Sequence, residues 1–351
     1  MTGWNDAVDA PDIRVFPDAR PAVPKGDRPV CVIVVDAEED FDWLNPAYGT
    51  SHSIANMHHI RPLQDIAGAY GLAPAYLLTY PVLQAPEVVQ ALRRWLERGA
   101  CEVGVQLHPW VTPPHDAGSA AETSFAGNLA PALERRKLME LVRTFTECFG
   151  MAPRMYRAGR YGLGEHSADL LEELGFTIDT SLAPRTTFAE EGGPDFSGHD
   201  YRPFWFGRRG GLLEVPLCRE VVGWSGRLAP GLYRAAGAPG LARLRAQAVV
   251  TRLRCAERIT LSPEGNDVAA MARLVGRLHG AGHRLFALSF HSSSLAVGRN
   301  PYVQTKAELH AFYDRLSGIL DLMAERHAMQ FSSLSRLPEF LQAPALVGVP
   351  A

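Results

Sequence analysis

The segment Val32-Ile33-Val34-Val35-Asp36-Ala37-Glu38-Glu39-Asp40-Phe41-Asp42 runs from four β-branched apolar residues straight into five carboxylates. An apolar run of this kind reads as a buried parallel strand. Carboxylates at the C-terminal end of such a strand stand where α/β enzymes assemble active sites. Crowded carboxylates repel one another, so they need a metal ion, a cation or a shared proton. The segment is therefore a candidate metal or acid–base site. A solvated acidic loop after a core strand is the other reading.

Further strand ends carry polar groups of complementary chemistry. In Glu102-Val103-Gly104-Val105-Gln106-Leu107-His108-Pro109-Trp110 the side chains alternate. Glu102, Gly104, Gln106 and His108 share one face, and a neutral imidazole at the end of it is a borderline metal ligand or a hydrogen-bonded structural histidine. Tyr156-Arg157-Ala158-Gly159-Arg160-Tyr161-Gly162 places two arginines in a glycine turn after a strand. An arginine beside a buried carboxylate lowers its pKa and orients it, although both could equally make surface ion pairs. Ile178-Asp179-Thr180-Ser181 adds a carboxylate that braces an arginine or caps a turn. Ala287-Leu288-Ser289-Phe290-His291 is another apolar strand ending in histidine, a residue whose pKa suits a general acid.

The elements that must hold these groups alternate. Strands are expected at Val30–Val35, Ala75–Leu78, Glu102–His108, Met155–Arg157, Phe176–Asp179, Leu212–Pro216, Ile259–Ser262 and Leu285–Phe290. Helices are expected at Met57–Tyr70, Pro86–Arg98, Leu133–Phe149, Ser167–Leu174, Val268–His279 and Ala307–Met323. Residues 184–240, rich in Gly, Pro and aromatic residues, read as long loops around one strand. Strand–helix alternation implies a parallel sheet with right-handed crossovers. About seven such units favour an incomplete barrel over an open sheet. The expected organisation is an irregular N-terminal arm (1–28), one barrel domain (29–340) and a C-terminal tail (341–351).

Composition narrows the partners. A net charge of −3 over 351 residues gives no electrostatic case for nucleic acid or an anionic membrane. No apolar run is long enough to span a bilayer. The polar N-terminus lacks a secretory pattern, and five dispersed cysteines suit reduced thiols, so a cytoplasmic setting is expected. Oligomeric state stays open.

The order of these motifs resembles the NodB-homology polysaccharide deacetylases, a metal-dependent esterase and amidase family. It looks most like the divergent WalW-like subgroup, through Gln106–Pro114, Gly127-Asn128-Leu129, Tyr156–Gly164 and Ser289–Leu295. The resemblance covers roughly residues 29–340. It implies an α/β fold, a distorted (β/α)7-type barrel, and removal of acetyl groups from N-acetylated sugars or related small amides. It implies Asp36 as general base, Arg157 as its brace, Asp179 as the acid holding that arginine, Tyr161 as the residue whose amide helps the oxyanion, and His291 as the proton donor to the leaving group. It implies a divalent metal, zinc for preference, on Glu38 and His108. The family's second histidine is replaced here, by Gln106 or Thr112 according to the motif variant. Glu39 or His115 is then left as third ligand. With no third ligand near, metal binding is expected to be weak or absent. Gln106, Trp110 and Arg160 are expected to meet substrate. Two other readings share the fold: a sugar-binding barrel without catalysis, and a hydrolase of a cyclic imide or amide.

Overall fold

The structure, a computed structural model, describes residues 15–41, 52–115, 122–242 and 245–343. Its strands are β1 (Arg20–Pro21), β2 (Val30–Ala37), β3 (Ala75–Leu78), β4 (Glu102–Leu107), β5 (Met155–Ala158) and β6 (Ile178–Asp179). They continue as β7 (Phe204–Phe206), β8 (Leu212–Glu214), β9 (Arg219–Val222), β10 (Glu257–Thr260), β11 (Leu285–His291) and β12 (Gln330–Phe331). The main sheet runs β1-β7-β8-β6-β5-β4-β3-β2-β11, with β12 beside the start of β2. Seven strands, β11 through β2 to β6 and β8, are mutually parallel. β7 and β1 extend the β8 edge in antiparallel fashion. This is the distorted seven-stranded α/β barrel that the alternation predicts.

The barrel wall is not closed by strand pairing between β11 and β8. The antiparallel β9–β10 pair, whose strands are joined through short helical segments, spans that seam instead. Leu261 N–H donates to Cys218 O (2.7 Å), Ser289 N–H to Leu261 O (3.2 Å) and Leu217 N–H to Leu182 O (3.0 Å). A cleft opens where the parallel strands end, with the β9–β10 pair as one wall.

Side-chain alternation builds the two layers. Val30, Val32 and Val34 pack inward with Leu77, Met155, Ile178, Leu213, Leu285 and Ala287. Cys31, Ile33 and Val35 pack outward, in the larger core shared with the helices. Each fully buried aliphatic side chain contributes on the order of 1.5–3 kcal/mol. Gly104 sits inside, where an added Cβ would lie 2.7 Å from Met155 O and 2.8 Å from Leu77 Cδ2. The covering helices carry local signals. Pro131–Phe149 ends at Gly150, which adopts φ 69°. Lys306–His327 begins with a Thr305–Glu308 capping box. No described helix is long and apolar enough to cross a membrane.

Two expectations change. Residues 184–240 hold three strands, β7, β8 and β9, and a helix at Ala229–Ala236, not one strand among loops. Strands of three or four residues give too short a pattern to show a period of two. The helix expected over Met57–Tyr70 is a 3-10 turn, Ala55–His59, followed by Arg61–Ala69, because Pro62 starts a new helix at its first turn. The N-terminal segment joins the fold: Phe16 is buried against Phe196, Phe204 and Phe206, and Pro24 bridges Leu341. Residues 1–14 and 344–351, in the expected arm and tail, lie outside the described residues.

Gly104→Ala should overpack the barrel interior and cost about 1–3 kcal/mol in denaturant unfolding. Gly276→Ala, on an exposed helix position with nothing within 4 Å, should instead stabilise by roughly 0.5–1 kcal/mol. Equal effects at the two sites would contradict the packing described.

Candidate active site

The inward phase of β2 continues past Val34 to Asp36 and Glu38, so the alternation that fills the barrel also aims carboxylates into the cleft. Register sets His291 directly beside Asp36 across β11 and β2, and Arg157 beside Gln106 across β5 and β4. Asp36 is 2% exposed. Its Oδ1 accepts a hydrogen bond from Arg157 Nη1, and its Oδ2 lies 3.5 Å from His291 Nε2. The other nitrogen, His291 Nδ1, is 2.9 Å from Glu264 Oε2. Glu264 Oε1 also accepts from the His291 backbone N–H (2.9 Å) and from Ser294 Oγ (2.5 Å). Burial works against the His291 imidazolium, but Glu264, Glu38 and Asp36 outweigh it and push the ring up to about 10. His291 thus carries its proton at neutral pH.

Arg157 is buried and fully engaged. Its Nε donates to Thr180 O (3.1 Å) and Thr180 Oγ1 (2.9 Å), and its Nη1 also to Ser289 Oγ (3.1 Å). Asp179, expected to hold this arginine, does not reach it by a hydrogen bond. Its neighbour Ile178 takes the inward position, so Asp179 points out of the barrel, beside Tyr156 and Glu214 in register. There its Oδ1 accepts from Thr180 N–H (2.9 Å) and from Ser181 Oγ. Asp179 therefore fixes the turn whose Thr180 holds Arg157. Burial raises the pKa of Asp179, and that of its neighbour Glu214 more strongly, so this carboxyl pair keeps a proton between them.

A second cluster stands across the cleft. His108 Nδ1 is 2.8 Å from Glu39 Oε1, which also accepts from Trp110 Nε1 (2.9 Å). His108 Nε2 faces Glu38 Oε2 at 3.6 Å. Trp110 stacks on the His108 ring at 4.2 Å. Buried Lys137 donates to the carbonyls of Pro109 (2.9 Å), Thr112 (2.5 Å) and Pro114 (2.7 Å), pinning the loop after His108. Desolvation pushes the Glu38 carboxyl up to about 8, against the opposing pull of His291 and His108. Burial opposes the charges on His108 and Glu39, yet each holds the other ionised: His108 is raised and Glu39 lowered.

These donors do not fit a zinc ion. Catalytic zinc takes the usual three protein ligands. Among the described residues no group of three His, Cys, Asp or Glu side chains is placed to hold a metal ion. Glu39 lies behind His108 and supports it, and His115 is exposed on the following loop and does not line the cleft. What converges is Glu38, His108 and the amide of Gln106. Among the described residues Glu38 Oε1 and Gln106 Oε1 are buried without a hydrogen-bond partner.

The cleft holds about 470 Å³ and is lined by Asp36, Glu38, Gln106, His108, Trp110, Arg157, Arg160, Tyr161, Glu264 and His291, among others. Arg160 and Tyr161 take φ of 55° and 60°, a left-handed turn that costs roughly 1–3 kcal/mol per residue and clusters at functional sites. Arg160 Nη1 donates to Ser124 Oγ (2.6 Å), pairs with Glu191 and lies over the Phe125 ring at 4.2 Å. Tyr161 stacks on Phe188 and sits 5.6 Å from the Arg157 guanidinium. An added Cβ at Gly159 would stand 2.5 Å from His108 Cδ2, so this glycine makes room for the histidine. Glu264 is the residue that sequence reasoning missed. Its signal is an acid in Ser262-Pro263-Glu264-Gly265, at another strand end.

No protein-family model matches the sequence, and no curated protein matches it. Solved structures do match. A protein of Mycobacterium smegmatis described as a polysaccharide deacetylase superposes with a TM-score of 0.53 at 16% identity, over 95% of this chain and 100% of its own. The PuuE allantoinase gives 0.53 at 14%, over 97% of each chain. A protein of Pseudomonas aeruginosa PAO1, also described as a polysaccharide deacetylase, gives 0.52 at 14%, over 90% and 91%. At these identities the likeness is one of fold.

Glu38→Gln should raise the melting temperature in a pH-dependent way. The Glu38 carboxyl ionises near its ordinary 4.5 when unfolded and near 8 when folded. Wild-type stability is therefore full below 4.5 and falls as pH rises toward 8, whereas glutamine has no proton to lose. The gain should be small at pH 4.5, grow to pH 8 and level off above. A gain that does not change with pH would contradict the burial of Glu38 as described.

Proposed function

We propose that this chain hydrolyses a non-peptide C–N bond, removing an acyl group from an N-acetylated sugar or a related small amide, as a WalW-like relative of the polysaccharide deacetylases. The observation that carries this reading is the facing pair Asp36 and His291, 3.5 Å apart, each held from behind, Asp36 by Arg157 and His291 by Glu264. An ionised carboxylate and a protonated imidazole at one spot are a general base and a general acid. The fold shared with deacetylases and an allantoinase raises the weight of amide chemistry.

In the proposed reaction Asp36 takes a proton from a water as the water oxygen bonds to the amide carbon. The carbonyl electron pair moves to oxygen. His108 Nε2–H and the proton of the neutral Glu38 carboxyl face the cleft as donors for that oxyanion, with the Tyr161 amide as a further candidate. The C–N bond then breaks, and His291 gives its proton to the departing nitrogen. Products are a carboxylic acid and an amine. No step is assigned to a metal, because the donor set does not fit one. The equal TM-score of the allantoinase, 0.53, supports a second reading, in which the amide is cyclic. The proposed setting of the protein is the cytoplasm.

Asp36→Asn and His291→Gln should each lower kcat about 10²–10⁴-fold on a cleaved amide, the usual worth of a general base or acid. EDTA should leave wild-type turnover unchanged. Loss of turnover on chelation, restored by zinc or cobalt, would overturn the metal-free route. Full activity in Asp36→Asn would overturn the reading itself, and sugar binding without any turnover would leave a non-catalytic barrel.

A further inference from the structure

The wall formed by the β9–β10 pair carries charge that the proposed chemistry does not use. Register sets Thr260 opposite Arg219, and Arg258 lies two residues from Thr260 on the same face. All three line the cleft. Arg219 Nε donates to Thr260 Oγ1 (2.7 Å) and its Nη1 to Thr186 Oγ1 (2.6 Å). Arg258 Nη1 donates to Arg185 O (3.1 Å). These contacts orient both guanidinium planes and neutralise neither.

The other charged groups of the cleft are matched. Asp36 faces Arg157, Glu191 faces Arg160, Glu264 faces His291 and Glu39 faces His108, while Glu38 keeps its proton. Among the described residues Arg219 and Arg258 have no carboxylate partner. Burial depresses Arg219 to about 10, and Arg258 is close enough to add to this, which still leaves Arg219 charged at neutral pH. A part-buried cation with only hydroxyl partners is costly until a counter-ion arrives. A guanidinium held in plane is suited to bidentate contact with an oxyanion.

We infer that the substrate carries an oxyanion, a carboxylate or a phosphate, held by Arg219 and Arg258 while its amide lies between Asp36 and His291. The placement of the amide rests on the hydrolytic reading above; the anion site does not.

The test is calorimetric binding of probes that the enzyme cannot hydrolyse. Levulinate, the ketone isostere of N-acetylglycine, is compared with its neutral methyl ester, and glucose 6-phosphate with glucose. Wild type should prefer the anionic member of one pair at least tenfold, and the pair that shows it distinguishes a carboxylate from a phosphate. Arg219→Met with Arg258→Met should reduce that preference below threefold, and Arg219→Lys should retain part of it. Arg258 is exposed, so Arg258→Met alone should fold and lose at least threefold. No anionic preference in either pair, or a preference that survives in the double variant or in Arg258→Met, would overturn the inference. Because no turnover is read, this result is independent of the Asp36→Asn kinetics.

Discussion

Everything in the cleft follows from burying carboxylates at the end of a core strand. Asp36, Glu38, Glu39 and Asp40 are each less than a tenth exposed, within five consecutive residues. A buried carboxylate without a counter-charge or a proton is unstable by several kcal/mol. Each of these residues meets that constraint differently. Asp36 takes Arg157, Glu39 takes His108, and Asp40 lies 3.6 Å from Arg299 Nη1 and accepts from Asn56 Nδ2 (2.8 Å), Ser53 Oγ (2.7 Å) and the Ala55 N–H (3.0 Å). Glu38 takes a proton. The partners come from distant strands, so electrostatic satisfaction of one loop ties β4, β5 and β11 to β2.

The barrel supplies the precision. Parallel neighbours in register place Asp36 beside His291, and Gln106 beside Arg157 two residues further along β4 and β5. Below them the same alternation gives Val34, Leu77 and Ala287, an apolar floor that excludes water from beneath the site. Low local polarity strengthens each charge pair, which is how a histidine with two carboxylates stays protonated far above its ordinary range. Positioning continues outside the wall, where Asp179 and Glu214 hold the Thr180 turn that aligns Arg157.

Long, regular features were legible from sequence. The Val32–Val35 run, the face of Gln106 and His108, and the strand ending at His291 carry enough periodicity to reveal both element and face. The direction of Asp179 was not legible, because a strand of two residues has no readable phase and its inward position belongs to Ile178. Glu264 was hidden because it follows a four-residue strand, in a turn whose Ser-Pro-Glu-Gly composition suits any loop. Arg219 was hidden because its four-residue strand, β9, lies in a stretch of Gly, Pro and aromatic residues. Its meaning depends on what it does not touch, and no linear pattern records that. That the resemblance lacks its second histidine was visible at Gln106 and Thr112. That Glu39 stands behind His108, and not beside Glu38, required coordinates.

The consequence is a cleft whose buried carboxylates are balanced by protons, one on His108 beside Glu39, one on Glu38, and one on His291. The charge state of His291 is the centre of this arrangement. A ¹⁵N NMR titration of its imidazole, assigned by comparison with His291→Gln, measures it directly. The ring should remain doubly protonated through neutral pH and lose its proton only near 10, as set by Glu264, Glu38 and Asp36. A ring that titrates near 6.5, like an unperturbed histidine, would contradict the charge pairing on which the site depends.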